Sequence, residues 1–485
     1  MSAPALAVLA TDQEMCVSYI STRGAAPELG FEDVLLTGLA RDGGLYVPDA
    51  WPTLTMDQQD RLAGLDYAGL TAGVLAPFVG PGIDRAALDG LCTTAYAGFH
   101  HPAVAPLVQI DRTLWLLELF HGPTIAFKDY ALQLLGGLFD HVLAVRGQRL
   151  TIVGATSGDT GSAAIEAVRD RDNIDIFMLH PHGRVSDVQR RQMTTVQAGN
   201  VFNIAVDGTF DDCQDIVKAL FNDLAFRDRM NLSAVNSINF ARIAGQIAYY
   251  VAATGALGSV DRSVSFAVPT GNFGNVFAAY AARAMGVPIG RLIIGSNAND
   301  ILHRFFTSGS MQAQGVVPTL SPSMDIQISS NFERLLFDLL DRDGATLAGV
   351  MAAFRTDRTF AVSPDQLARA RAQFSSHRVD DAGTLDQIAR VHAETGRLID
   401  PHTAVGVAAA RALTNGDDGP VVALACAHPA KFPDAVKRAT GVHPDLPTFL
   451  ADLHDRPEHA TRLPAQTDAV RGFMLANATV TRSAA

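Results

Sequence analysis

The stretch LTIVGATSGDTGSAAIEAV (150–168) reads in three parts. A short β-prone apolar run comes first, a glycine- and hydroxyl-rich loop follows, and small apolar residues then recur at helical spacing. That order predicts a strand, a tight loop and a helix. The same theme returns in IDIFMLHPHGRVSDVQRRQM (174–193) and VFNIAVDGTFDDCQDIVKALF (201–221). It returns again in SVSFAVPTGNFGNVFAAYAARAMG (263–286), RLIIGSNANDILHRFF (291–306) and VVALACAHPAKFPDAVKRATG (421–441). Serial β-α units imply an α/β fold with open, mainly parallel sheets and helices on both faces. Ligands in such folds sit at the carboxyl ends of the strands, where these loops lie.

The first hundred residues read differently. FEDVLLTGLARDGG (31–44) and MDQQDRLAGLDYAGLTAGVLAPF (56–78) have the leucine and alanine spacing of helices. Residues 1–100 are therefore expected to form a mostly helical N-terminal domain, with FHHPAVAP (99–106) as the junction. Residues 101–485 are left as the main, ligand-binding region, with a smaller α/β part at about 150–260 and a larger one from the remainder. The tail after Gly441 carries several prolines and charges and reads as a peripheral extension.

Composition narrows the function. The 485 residues are 48% hydrophobic and 18% charged, as a well-cored globular chain requires. The net charge is −12 with no basic block, which argues against a nucleic-acid partner. No apolar run is long enough for a membrane span. The apolar run within residues 1–15 has no lysine or arginine before it, so a signal peptide lacks its basic region. Cys16, Cys92, Cys213 and Cys426 form no C-x-x-C pair and read as reduced thiols, which suits the cytoplasm. His100-His101, His180 with His182, and Cys426 with His428 are short pairs without a zinc motif, so no metal is expected. No G-x-S-x-G elbow supports a serine hydrolase.

Three motifs carry chemistry. PTGNFGN (269–275) follows a strand and opens a helix. Its glycines let backbone N–H groups approach an anion, and the helix start adds positive potential. The spacing is neither a Walker loop nor G-x-G-x-x-G, so one phosphate fits better than a nucleotide; a plain tight turn is the alternative. GATSGDTGSA (154–163) has the same build and suits a carboxylate, or simple capping by Thr160 or Ser162. In HGPTIAFKDY (121–130), Lys128 follows Ile125-Ala126-Phe127. A free lysine has a pKa of ~10.4, and apolar neighbours disfavour its ammonium and expose a nucleophilic amine. An ordinary surface lysine on an amphipathic helix is the alternative.

Together with YISTRG (19–24), FEDVLLTGLARDGGLYVP (31–48), NSINFARIAGQ (236–246) and DPHTAVG (400–406), these motifs stand in the order found in fold-type II pyridoxal-phosphate enzymes. The chain resembles the threonine synthase family of that group, in its longer bacterial and fungal-type branch. The resemblance implies pyridoxal 5'-phosphate as cofactor and Lys128 as its Schiff-base lysine. It implies a phosphate cradle from Gly271, Asn272, Phe273, Gly274 and Asn275. Asp159 falls where many relatives place an asparagine facing the ring hydroxyl, and an aspartate there repels a phenolate unless a proton is shared. Thr403 resembles the residue that meets the pyridine nitrogen.

Thr156, Ser157 and Thr160 are the expected binders of the substrate α-carboxylate. Asn239 and Arg242 are candidates for a second phosphate, with Ser296 and Asn297 behind them and Arg184 weaker still. His121 is expected at the pocket's border. The implied reaction turns O-phospho-L-homoserine and water into L-threonine and phosphate by β,γ-replacement, the last step of threonine biosynthesis. The alternatives are another enzyme of the same fold type, such as a serine/threonine dehydratase or a phosphoamino-acid phospho-lyase, and a non-catalytic cofactor-binding homologue. A monomer and a homodimer both fit the sequence.

Overall fold

The computed structural model describes residues 17–257, 262–415 and 419–479. Cys16 and the apolar run within residues 1–15 lie outside them. Fifteen strands are described. The first two, β1 (Tyr19–Ser21) and β2 (Tyr46–Pro48), pair as an antiparallel ribbon. Next come β3 (Leu107–Gln109), β4 (Leu114–Glu118), β5 (Leu150–Ala155), β6 (Ile174–Pro181), β7 (Val201–Asp207) and β8 (Leu232–Ser233). They are followed by β9 (Val264–Pro269), β10 (Ile289–Ser296), β11 (Ser310–Gln312) and β12 (Thr359–Ala361). The last three are β13 (Phe374–Arg378), β14 (Val421–Ala425) and β15 (Thr461–Pro464).

Two sheets dominate. The larger runs β13-β10-β9-β14-β4-β3 and is parallel except for its edge strand β3. The smaller runs β15-β7-β6-β5-β8 and is parallel throughout. Every residue of β6, β9 and β14 is buried. Strands covered on both faces read as continuous apolar runs, which is why the β-α units are visible in the sequence. Among the described residues no helix is long and apolar enough to cross a membrane.

The helices Lys128–Arg146, Asp159–Val168 and Phe240–Ala256 fill the space between the sheets and the N-terminal residues. Residues 17–97 contribute helices Tyr67–Val79 and Arg85–Ala97 to that same apolar core. Polar ties reinforce the junction. Asn239 Nδ2 donates to Leu35 O at 2.8 Å, and Arg334 Nε to Tyr46 O at 3.1 Å.

The tail beyond Gly441 is not peripheral. It supplies β15 beside β7, and the helix Thr467–Asn477 buries Val470 and Met474 among Phe177, Ile204 and Leu220. The four-residue strand TRLP is half exposed and too short to show a period of two, so its pairing is not visible locally.

Candidate active site

Loops at the carboxyl ends of β5, β9 and β14 converge on one cavity of about 120 Å³. Its wall includes Phe127, Lys128, Thr160, Arg242, Ser323 and Cys426, together with the loop 269–275. A larger cavity of about 300 Å³ lies between the N-terminal residues and helix Phe332–Leu339, but no lysine lines it.

Lys128 is the first residue of its helix, and the chain before it is held against the end of β14. Phe127 N donates to Cys426 O at 2.8 Å, and His428 N to Ile125 O at 3.0 Å. Ile125 sits at φ 53°, so the segment turns sharply before the helix starts. The Lys128 side chain is buried, with Nζ 5.6 Å from the Phe127 ring centroid. Burial pushes its ammonium down, Lys431 and Arg242 push the same way, and Asp159 pulls against them.

Asp159 is the first residue of the next helix and is also buried. Its Oδ2 accepts from Lys128 Nζ at 3.1 Å and Ser323 Oγ at 2.8 Å. Its Oδ1 accepts from Gln189 Nε2 at 2.8 Å and lies 3.2 Å from Lys431 Nζ. Burial alone would raise this carboxyl, but Lys128, Lys431 and His402 hold it well below the usual range.

The loop 271–275 is a nest of unused donors. Among the described residues, no acceptor partners the backbone amides of Gly271, Asn272, Phe273, Gly274 or Asn275. Phe273 adopts φ 64°, which turns successive amides inward before the helix Gly274–Ala284. A Cβ on Gly271 would stand 3.1 Å from Met324 Cα and Ser323 O, so the loop packs too closely for a side chain there. In the loop after β5, the amides of Ser157, Asp159 and Thr160 also have no acceptor among the described residues, and Thr156 Oγ1 braces their turn by accepting from Gly158 N and Gly161 N at 2.9 Å.

Arg242 is buried on the cavity wall. Its Nη1 reaches Val235 O at 3.1 Å, and among the described residues its Nε has no partner and no carboxylate pairs with it. Burial pushes this guanidinium down to about 10. A buried cation without a counter-ion is costly unless an anion joins it.

Comparison with known proteins adds the family. Residues 18–96 match the description "Threonine synthase N terminus", residues 99–353 "Pyridoxal-phosphate dependent enzyme", and residues 403–474 "Threonine synthase, C-terminal". The chain is 53% identical to a threonine synthase of Pseudomonas aeruginosa, across 94% of this chain and 97% of that one. This chain belongs to the threonine synthase family. A threonine synthase of Corynebacterium glutamicum is 42% identical over 95% of this chain and 98% of its own. The crystal structure of a pyridoxal-phosphate-bound threonine synthase from Brucella melitensis superposes with a TM-score of 0.93, at 52% identity, covering 96% of this chain and all of that one. The yeast threonine synthase structure gives 0.90 at 38% identity, covering 96% of this chain and 99% of that one. These relatives favour a threonine synthase over a dehydratase, a phospho-lyase or a non-catalytic homologue.

The fold is thus that of a fold-type II pyridoxal-phosphate enzyme, and the cofactor is pyridoxal 5'-phosphate. The residues fit it: five free amides with a helix start suit a phosphate dianion, and a buried amine faces the same cavity. The carboxylate beside the amine has a second counter-charge, Lys431, at 3.2 Å.

Several sequence candidates of the threonine synthase reading sit elsewhere. Asn239 is fully buried away from the cavity and caps helix Phe240–Ala256 through Ala241 N at 3.1 Å. Thr403 is fully buried below the wall made by His402 and Cys426; its hydroxyl donates to Asp400 and accepts from Cys426 N at 3.2 Å. Arg184 is exposed and does not line the cavity, whereas Ser157 stays in the turn beside Thr160 with its side chain exposed. Asn297 Nδ2 is committed to Thr319, Ser321 and Asp325, while Ser296 Oγ is buried without a partner. His121 pairs with Glu118 at 2.9 Å and does not line the cavity.

Gln189, Ser323, His402, Cys426 and Lys431 were not singled out from the sequence for this site. Gln189, His402, Cys426 and Lys431 sit in quoted motifs or β-α units, and that placement was the available signal. Among the described residues no group of three or more His, Cys, Asp or Glu is placed to hold a metal ion.

Proposed function

We propose that this protein converts O-phospho-L-homoserine and water to L-threonine and phosphate, with Lys128 as the cofactor-bearing lysine. The observation that carries this reading is the sharing of one cavity by a buried amine, an amide nest and a buried arginine that no described carboxylate pairs with. Two phosphates need two anion sites, one for the cofactor and one for the substrate. The amides of Gly271 to Asn275 would hold the cofactor phosphate, with Asn275 fixed by Tyr249 and Tyr250 hydroxyls at 2.5 and 2.7 Å. Arg242, which borders the cavity, would take the substrate phosphate through its guanidinium, a charge-assisted bond of the stronger kind. The amides of Ser157, Asp159 and Thr160 would hold the α-carboxylate.

When bound, pyridoxal phosphate supplies an electron sink for the substrate's α carbon. The protein's part is positioning and proton movement. Lys128 Nζ, with its ammonium disfavoured by burial, takes the α proton and then a β proton, and returns protons as the product forms. Asp159 holds Nζ in place between these transfers. Arg242 retains the departing phosphate while water adds at the β carbon. The described cysteines are free and buried, and free thiols suit a reducing compartment such as the cytoplasm; the chain would work there as a monomer or homodimer.

Phosphate release from O-phospho-L-homoserine is to be measured beside ammonia release from serine and threonine. Phosphate with stoichiometric threonine is the expected result. Ammonia release as the faster reaction would replace this reading with a dehydratase.

A further inference from the structure

Two buried lysines share one carboxylate. Lys128 Nζ lies 3.1 Å from Asp159 Oδ2, and Lys431 Nζ lies 3.2 Å from Asp159 Oδ1. The two amines differ in everything else they touch. Lys431 is fully buried and also donates to Thr124 O at 2.8 Å and Gln192 Oε1 at 2.9 Å. An ammonium has three N–H donors and no acceptor, so two of the three are spent on these oxygens, and Asp159 is met as an ion pair. Among the described residues, Lys128 has Asp159 as its one hydrogen-bond acceptor, and it borders the cavity. Lys431 is therefore built as a fixed cation and Lys128 as an amine that can leave its partner.

For an amine to bond an aldehyde carbon, its ammonium must first shed one proton to solvent. The aldehyde oxygen then leaves as water with the two remaining amine protons. When Lys128 does this, Asp159 loses its nearer counter-charge. A buried carboxylate left alone resists that change and holds the Lys128 proton in place. We propose that Lys431 is a positioning residue that keeps Asp159 paired when Lys128 gives up its charge, so that Lys128 can bond the cofactor near neutral pH. This rests on Lys128 being the cofactor lysine, as argued above. The other groups facing the pair are His402 from helix Pro401–Leu413, Arg242 from helix Phe240–Ala256, Gln189 from helix Asp187–Thr194, Ser323 from the turn Pro322–Met324 and the Cys426 thiol just after β14. Asp129, from the Lys128 helix, also feels Lys431. None of them replaces the Lys431 charge at Oδ1.

The probe is pyridoxal 5'-phosphate itself. The full chain, stripped of cofactor, is incubated with it across a pH series and trapped with borohydride, and the label on Lys128 is counted by peptide mass. Lys431→Met should move the pH of half-maximal labelling upward by about one unit or more, because Asp159 then holds Lys128 alone. Lys431→Gln is read in parallel, so that one folded variant suffices. Adding Asp159→Asn to either variant should bring the midpoint back to the wild-type value or below. A merely structural Lys431 would not be rescued by removing its partner. An unmoved midpoint in the folded single variants, or a shift that persists in the double variants, overturns this proposal and leaves the proposed function standing. Label on a lysine other than Lys128 overturns both.

Discussion

Lys128 and Asp159 are each the first residue of a helix, and their side chains meet at 3.1 Å in the buried space between the two helix starts. The two positions are electrostatically unequal. A helix N-terminus favours an anion and disfavours a cation. Asp159 is therefore supported by its own helix, while Lys128 sits at the wrong end of a 19-residue helix for an ammonium. The pair gives an amine that is anchored yet ready to lose its proton.

Replacing Lys128 with alanine should abolish the absorbance of lysine-bound cofactor and lower turnover by at least about 10³-fold, since the nucleophile and proton carrier are the same atom. Absorbance spectra and steady-state phosphate release check both parts. Substantial retained turnover would count against the assignment.

Arg242→Gln should cut kcat/KM for O-phospho-L-homoserine by about 10- to 100-fold, the range of one charge-assisted hydrogen bond. Arg242→Met should also raise the denaturant midpoint of the cofactor-free chain, because a buried guanidinium without a carboxylate partner disappears. Loss of activity together with gain of stability is the signature of a site held open for an anion. A loss of both would instead make Arg242 part of the scaffold.

What the sequence makes legible follows the range of the interaction. PTGNFGN and the segment before Lys128 are local arrangements, strand to loop to helix start, and each carries its chemistry within a few residues. The network on Asp159 is not local: Gln189, Ser323 and Lys431 come from three separate segments and meet only after both sheets are assembled. That explains why the aspartate's repulsion had no answer in the sequence, when its counter-charge lies 272 positions further along at Lys431. Asn239 shows the opposite error. It stands in a family motif beside Arg242, but capping consumes its side chain. The tail strand was hidden for a third reason, since four half-exposed residues have no period to read.

Asp129, next to Lys128, should leave a mark on stability against pH. Burial pushes its carboxyl up to about 6, against the two bonds it accepts from Thr124. The folded state thus holds this proton more tightly than the unfolded chain, whose carboxyl titrates near 4. Its contribution is fully present below that pH and is lost as pH rises through about 6. Asp129→Asn has no such loss. Relative to wild type, the variant should gain about 2 to 3 kcal/mol between pH 4 and pH 7.5, measured by denaturant unfolding. A difference that stays flat across that window would mean that Asp129 is ionised at both ends.

The approach of the two helices can be tested at Gly136. Gly136 is eight residues beyond Lys128 and Ala167 eight beyond Asp159, so these helices run side by side in the same direction from the site. A Cβ on Gly136 would fall 2.1 Å from Ala167 O and 2.8 Å from Ala167 C, which are backbone atoms that cannot swing aside. Gly136→Ala should therefore cost about 1 to 3 kcal/mol through overpacking, despite alanine's better helix propensity. It should also weaken cofactor affinity, because separating the helices pulls Asp159 from Lys128. Gly137 is the internal control: a Cβ there meets only Leu91 Cδ2, at 3.3 Å, the end of a flexible side chain. Gly137→Ala should leave stability near wild type or above it. Urea midpoints and cofactor titrations of the two variants would separate the cases, and equal effects at both positions would refute the claim that helix spacing sets the geometry of the amine and its carboxylate.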